Sequence, residues 1–250
     1  MISIKMELDQ INYRACVEAI LPQLVEHCSA KRNPNELDRF LTELGADAVP
    51  AVCSVLNEMS EAEKKRMTVW LAANHEERMR NAANRHLTEL LGGPMIRVGR
   101  LIAAEQPDGS MLLEAAQVEV DYPSLLKSPF AAEGVERIGK DNGLLKGAAR
   151  LAMQMGSHLP SDSLEKYCVA LLNTEKIRKQ LMLLFRDALA QAGLEARLRG
   201  LSVEDASVIQ LPERLTRSAE NRPDHFEKEW MELLLTRYRA LRGVNNPEKG

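Results

Sequence analysis

The residues that come nearest to a known chemical motif are Gly134-Val135-Glu136-Arg137-Ile138-Gly139-Lys140-Asp141, close to the phosphate-binding loop G-x-x-x-x-G-K-[ST]. In that loop backbone N–H groups cradle phosphates, the lysine reaches them, and the final hydroxyl holds a magnesium ion. Here Asp141 stands in the hydroxyl's place, and the preceding Pro129-Phe130-Ala131-Ala132-Glu133 does not read as the buried strand such a loop must follow. No nucleotide cofactor is expected from this segment.

Metal chemistry would need His, Cys or carboxylate ligands at short helical spacing. His75-Glu76 opens like a zinc-helix motif, but the residue four beyond His75 is Met79. His86 shares a helix face with His75, yet eleven residues at about 1.5 Å each separate them by roughly 16 Å, too far for one ion. Cys16, Cys28, Cys53 and Cys168 form no C-x-x-C pair and read as small buried hydrophobes in a reducing compartment. There is no G-x-S-x-G elbow, and neighbouring carboxylates such as Glu76-Glu77 diverge on a helix. No metal site, cofactor or catalytic residue is expected.

Two basic stripes remain. Asn74, Arg78, Asn81, Arg85 and Thr88 recur at steps of three or four along one helix, and Arg with Asn can bind phosphate or a nucleic-acid backbone. The same spacing also describes an ordinary solvent face. Lys176, Lys179 and Arg186 form a second stripe, opposite the apolar Ile177, Leu181, Leu184 and Ala188, as a surface helix requires. Aromatic residues are not interleaved with it, as single-strand binding usually demands.

The last helix asks for more. Phe226, Trp230, Leu233, Leu234, Tyr238 and Leu241, with Met231 and Leu235, spread over about 200° of the wheel, whereas a surface helix needs little more than 100°. This helix packs on two sides. Either it lies inside its own fold, or Phe226, Trp230, Leu234, Tyr238 and Leu241 meet a protein partner or a second copy.

The elements that carry these residues read mostly as helix. The 250 residues are 45% hydrophobic but only 4% aromatic, so aliphatic side chains must fill the core. Net charge is -3, which nominates neither nucleic acid nor an anionic membrane as partner. The N-terminal residues lack the apolar stretch of a signal peptide, and no apolar run approaches a membrane span, so a cytoplasmic location is expected.

Residues 9–29 carry a helical apolar pattern interrupted by Pro22, which should kink or split it. Four short helices follow across 33–91. Their caps are Asn33 with Glu36, then Asp47, then the Ser60/Glu63 capping box, then Asn74 with Glu77, and Gly92-Gly93-Pro94 stops the last. Within this stretch Gly45-Ala46-Asp47-Ala48-Val49-Pro50-Ala51-Val52 resembles the start of a helix in HEAT-type repeats, although no second copy recurs at a fixed period. That resemblance, limited to residues 34–91, implies stacked helical pairs.

The turn Gln106-Pro107-Asp108-Gly109-Ser110 and the alternating Gln117–Tyr122 predict a β-hairpin over 95–122, with helix the competing reading for Leu112–Ala116. Further helices are expected over 144–155, from Asp162, over 175–192 and over 224–242. Residues 200–223 carry little periodicity.

The expected architecture is therefore mainly α, antiparallel helical hairpins with one β-hairpin. An N-terminal helical region (1–92) and a C-terminal region (93–250) would pack as one unit. The functional expectation is a protein-interaction or scaffold protein, with a nucleic-acid-binding accessory factor, or an enzyme whose site is assembled from distant residues, as alternatives.

Overall fold

The computed structural model describes residues 2–105, 110–129, 131–132, 154, 161–205 and 232–240. Its organising element is a strand that the mainly α expectation missed. Ile2, Ile4, Met6 and Leu8 alternate with Ser3, Lys5, Glu7 and Asp9, and this period of two makes β1 (Ile2–Asp9). The expected hairpin forms from β2 (Ile96–Glu105) and β3 (Met111–Val120), with Leu112–Ala116 extended rather than helical. A further strand, β4 (Arg197–Asp205), completes an antiparallel sheet of order β2-β3-β1-β4. The mainly α reading is thus corrected to a mixed α/β fold. The hairpin is half of a four-stranded sheet, and β1 sits between β3 and β4, so strands from residues 2–9 and 197–205 are direct neighbours.

The helices are α1 (Tyr13–Ala30), α2 (Glu36–Leu44), α3 (Ala48–Glu58), α4 (Glu61–Asn74), α5 (Glu76–Leu91), α6 (Tyr122–Lys127), α7 (Ser161–Leu172) and α8 (Glu175–Gln191); residues 232–240 are also helical. Their caps follow local chemistry. Ser60 and Glu63 form the expected box, and Gly92 ends α5 in the left-handed conformation. The box of α2 is Asn35 with Asp38 rather than Asn33 with Glu36. Asp47 sits in a 3-10 turn without a side-chain cap bond, and α5 starts after His75 without one. Helix α1 runs unbroken through Pro22, which lies on its exposed side where water can serve the freed carbonyl.

Two apolar layers result. One sheet face, with Ile4, Met6, Leu113, Val98 and Val203 at its centre, packs against α5 through Met79, Ala83 and Leu87 and against α8 through Leu181, Phe185 and Ala188. The second layer joins α1, α2, α3 and α4 through Val17, Leu21, Leu41, Val52, Val55, Met67 and Leu71, and it also takes in Leu234. Helix α1 touches both, because Cys16 belongs to the sheet layer. The turn from α8 to β4 closes against α1. Gly193 sits there at φ +89°, and a Cβ on it would lie 2.9 Å from Ala19 Cβ and Ile20 Cγ1.

Each edge strand is met by an asparagine. Asn84 of α5 accepts from Val98 N–H at 2.7 Å and donates to Val98 C=O at 3.0 Å on β2. Asn173, between α7 and α8, does the same for Val203 on β4, at 3.0 and 2.6 Å. In each case a primary amide occupies the place a neighbouring strand's peptide group would take.

Candidate functional site, a basic cleft between two helices

The α5 stripe lies in a cleft. Arg78, Asn81 and Arg85 line it from α5, together with Glu77 and Ala82. Helix α1 supplies Gln23, Leu24 and His27 as the opposite wall, His75 closes one end at the α4–α5 junction, and Gln191 enters from the end of α8. The cleft is open to solvent and offers about 810 Å³, within the roughly 300–1,000 Å³ usual for small-molecule clefts. Arg78 and Arg85 are seven residues apart, close to two turns, so both guanidinium groups leave α5 on one side.

Their partners decide the electrostatics. Arg78 Nη1 donates to the side-chain carbonyl of Gln23, and Arg85 Nη2 donates to that of Gln191. Among the described residues neither arginine forms an ion pair. A glutamine oxygen orients a guanidinium without neutralising it, so the cleft keeps two fixed positive charges against the single lining carboxylate of Glu77. His75 is half-buried. Its burial, with Arg78 and His27 nearby, pushes its pKa below the usual histidine value, so the ring is neutral at pH 7. What this arrangement can do is accept an anion into planar N–H donors and stabilise it further by protonating an imidazole.

Lys179 and Arg186 line a different groove, of about 750 Å³, between α8 and the start of β4. Its floor includes Met182, Ala190, Ala196 and Leu198, with Leu183 52% exposed beside them. Each cation on its rim already has a carboxylate: Lys179 meets Glu175 at 2.6 Å, Arg186 meets Asp187 at 2.8 Å, and Arg197 lies 3.6 Å from Asp9. Lys176 is absent from the lining of both spaces.

The C-terminal apolar set divides. Leu234 is 1% exposed within the helical layer. Tyr238 packs edge-on to Phe40, ring centroids 5.2 Å apart. Between them Arg237 reaches Glu63 at 2.9 Å. Phe226, Trp230 and Leu241 lie outside the described residues, as do the near-match loop 134–141, most of the helix expected over 144–155, and Gln106–Gly109 of the hairpin turn.

Among the described residues no group of three or more His, Cys, Asp or Glu side chains is placed to hold a metal ion. No helix of these residues is long and apolar enough to cross a membrane.

The stripe of α5 was legible in the sequence as two arginines and an asparagine on one face. The opposite wall was not. Gln23 and His27 come from a helix some fifty residues earlier, and Gln191 from one about a hundred residues later, with nothing in local spacing to pair them. No family model matches the chain, and no curated protein and no solved structure matches it either.

Proposed function

We infer that the chain is a binding protein that receives an anionic group of its partner in the cleft between α1 and α5. The observation that supports this is the pair of guanidinium groups on one face of α5, each oriented by a neutral glutamine. An arginine beside a carboxylate has its charge cancelled locally. One held by an amide oxygen keeps both its charge and its remaining N–H donors for a ligand. The interaction reading of the sequence therefore rests on the cleft rather than on the C-terminal helix, whose described apolar residues Leu234 and Tyr238 face the chain's own helical layer.

Thermal unfolding in sodium phosphate against sodium chloride of equal ionic strength tests this. A ligand at ten times its Kd stabilises by about 1.4 kcal/mol. The wild type should gain this from millimolar phosphate, and the Arg78→Gln/Arg85→Gln variant should not. That comparison removes the general salting effect of phosphate, which acts on both proteins. Equal stabilisation of both would sink the inference.

A nucleic-acid backbone is the second reading, favoured by the run of Arg78, Asn81 and Arg85 along one helix. It predicts an affinity that falls linearly in log–log fashion with salt, through counterion release. An unshifted oligonucleotide at low salt would end it.

A further inference from the structure

On the anion-binding reading of the cleft, on which this step rests, we propose that the ligand is an acidic α-amino acid of glutamate length. Its ammonium lies at Glu77, its α-carboxylate at Arg78 and its side-chain carboxylate at Arg85.

The charges along α5 come in a definite order. Glu77, Arg78, Asn81 and Arg85 fall within about 100° of the helical wheel, so they share the face that lines the cleft. Glu77 and Arg78 are neighbours in the chain. Arg85 stands seven residues beyond Arg78, about 10.5 Å along the axis. Gln23 of α1 holds Arg78, and Gln191 of α8 holds Arg85. The two guanidinium groups are thus separate subsites, each oriented from a different helix, rather than two forks on one anion.

Glu77 decides what joins them. It is exposed and, among the described residues, forms no ion pair. A ligand made only of acceptors, such as a simple carboxylate, a phosphate or a phosphodiester, meets Glu77 as a like charge. A ligand with a cationic donor beside an anion meets Glu77 and Arg78 as a complementary pair. An α-amino acid carries that arrangement on one carbon. Two arginines against one glutamate leave a single positive charge from these three groups. A glutamate ligand, with two carboxylates and one ammonium, carries a single negative charge. It answers the cleft group for group and in total.

Length selects among acidic amino acids. The carboxyl carbons of an extended glutamate are about 5 Å apart, across four C–C bonds. A charge-assisted bond of about 2.8 Å at each end brings the span to about 10.6 Å. Aspartate, one methylene shorter, falls about 1 Å short. Leu24 of α1 and Ala82 of α5 supply the apolar lining against which the methylenes lie.

The test is calorimetric titration of the full chain at pH 8 with glutamate, aspartate, glutamine and glutarate. Glutarate keeps both carboxylates and drops the ammonium. Glutamine keeps the amino-acid end and drops the distal charge. Glutamate should bind about tenfold more tightly than glutarate or glutamine, since each lacks one charged hydrogen-bonding group, and more tightly than aspartate. Arg85→Gln should reduce glutamate to the affinity of glutamine. Glu77→Gln should weaken glutamate about tenfold and strengthen glutarate, a reversal that loss of structure cannot produce. Both positions are exposed, so neither change touches the core. Glutarate binding as tightly as glutamate overturns the ammonium subsite. Glutamine binding as tightly overturns the Arg85 subsite, and aspartate binding more tightly overturns the length argument. Any of these rejects the assignment and leaves the anion cleft standing. Binding of none of the four rejects the assignment alone if phosphate still stabilises wild type over Arg78→Gln/Arg85→Gln, and overturns both readings if it does not.

Discussion

Leu234→Ala is the substitution that separates internal packing from partner binding at the C-terminal helix. Leu234 is 1% exposed and belongs to the helical layer with Leu37, Leu41 and Met67. Truncating a buried leucine costs about 2.7–5 kcal/mol, the larger values where the cavity cannot collapse. Leu234 reaches the layer from a separate segment, so partial collapse is available and about 3 kcal/mol is expected. For a chain of this size each kcal/mol lowers Tm by about 2–4 °C, giving a fall of roughly 6–12 °C.

The neighbouring contacts set a scale for comparison. Arg237 and Glu63 are 41% and 21% exposed, so Arg237→Gln should cost no more than about 1 kcal/mol. A double-mutant cycle on Phe40 and Tyr238 should return a coupling of about 0.5–1.5 kcal/mol. Urea and thermal unfolding followed by circular dichroism read all three, with sedimentation at each protein concentration. A loss below about 1 kcal/mol for Leu234→Ala, together with a shift from oligomer to monomer, would refute the reasoning: the residue would then be serving an interface between chains.

Gly193→Ala should destabilise by about 2–4 kcal/mol, from the left-handed backbone and from crowding Ala19 and Ile20 at 2.9 Å, measured by urea unfolding. His75 gives a pH effect of defined sign. Its folded-state pKa is depressed by burial, Arg78 and His27, so its contribution is fully present above about pH 6.5 and is lost as pH falls from there towards the folded value. His75→Gln should remove that part of the slope of stability against pH between 7 and 5. Asn173→Ala should cost about 2–4 kcal/mol, since the N–H and C=O of Val203 both lose their partner. Hydrogen exchange should show the loss of protection at Val203 first.

The elements that were legible in the sequence are those with an unbroken period or a local cap. The Ser60/Glu63 box, the Gly92 stop and the β2–β3 hairpin need only neighbours in the chain. Strand β1 was equally legible, since its alternation of Ile2, Ile4, Met6 and Leu8 is regular. Strand β4 was not. Its register slips between Leu198 and Gly200, so Leu198, Leu201 and Val203 do not keep a period of two. The cap at Asn35 went unread because Asn33-Pro34 offered a plausible alternative two residues earlier, and only the bonds between Asn35 and Asp38 distinguish them. At the site, the charge was visible and its neutral partners were not. Whether an arginine is free for a ligand depends on Gln23 and Gln191, which the fold brings from other helices.

Asn84 and Asn173 bear on how this protein behaves among copies of itself. A strand bonded to another strand passes the pattern on, because every peptide group has a second side. A side-chain amide does not: it satisfies one N–H and one C=O and offers no further ladder. The edges are thus blocked at Val98 of β2 and at Val203 of β4 by side chains outside the sheet, and Glu76 accepts from Leu101 N–H on β2 as well. Losing either amide would do more than weaken the monomer. It would leave one N–H and one C=O of an edge strand open to another chain, a loss that protein concentration would aggravate.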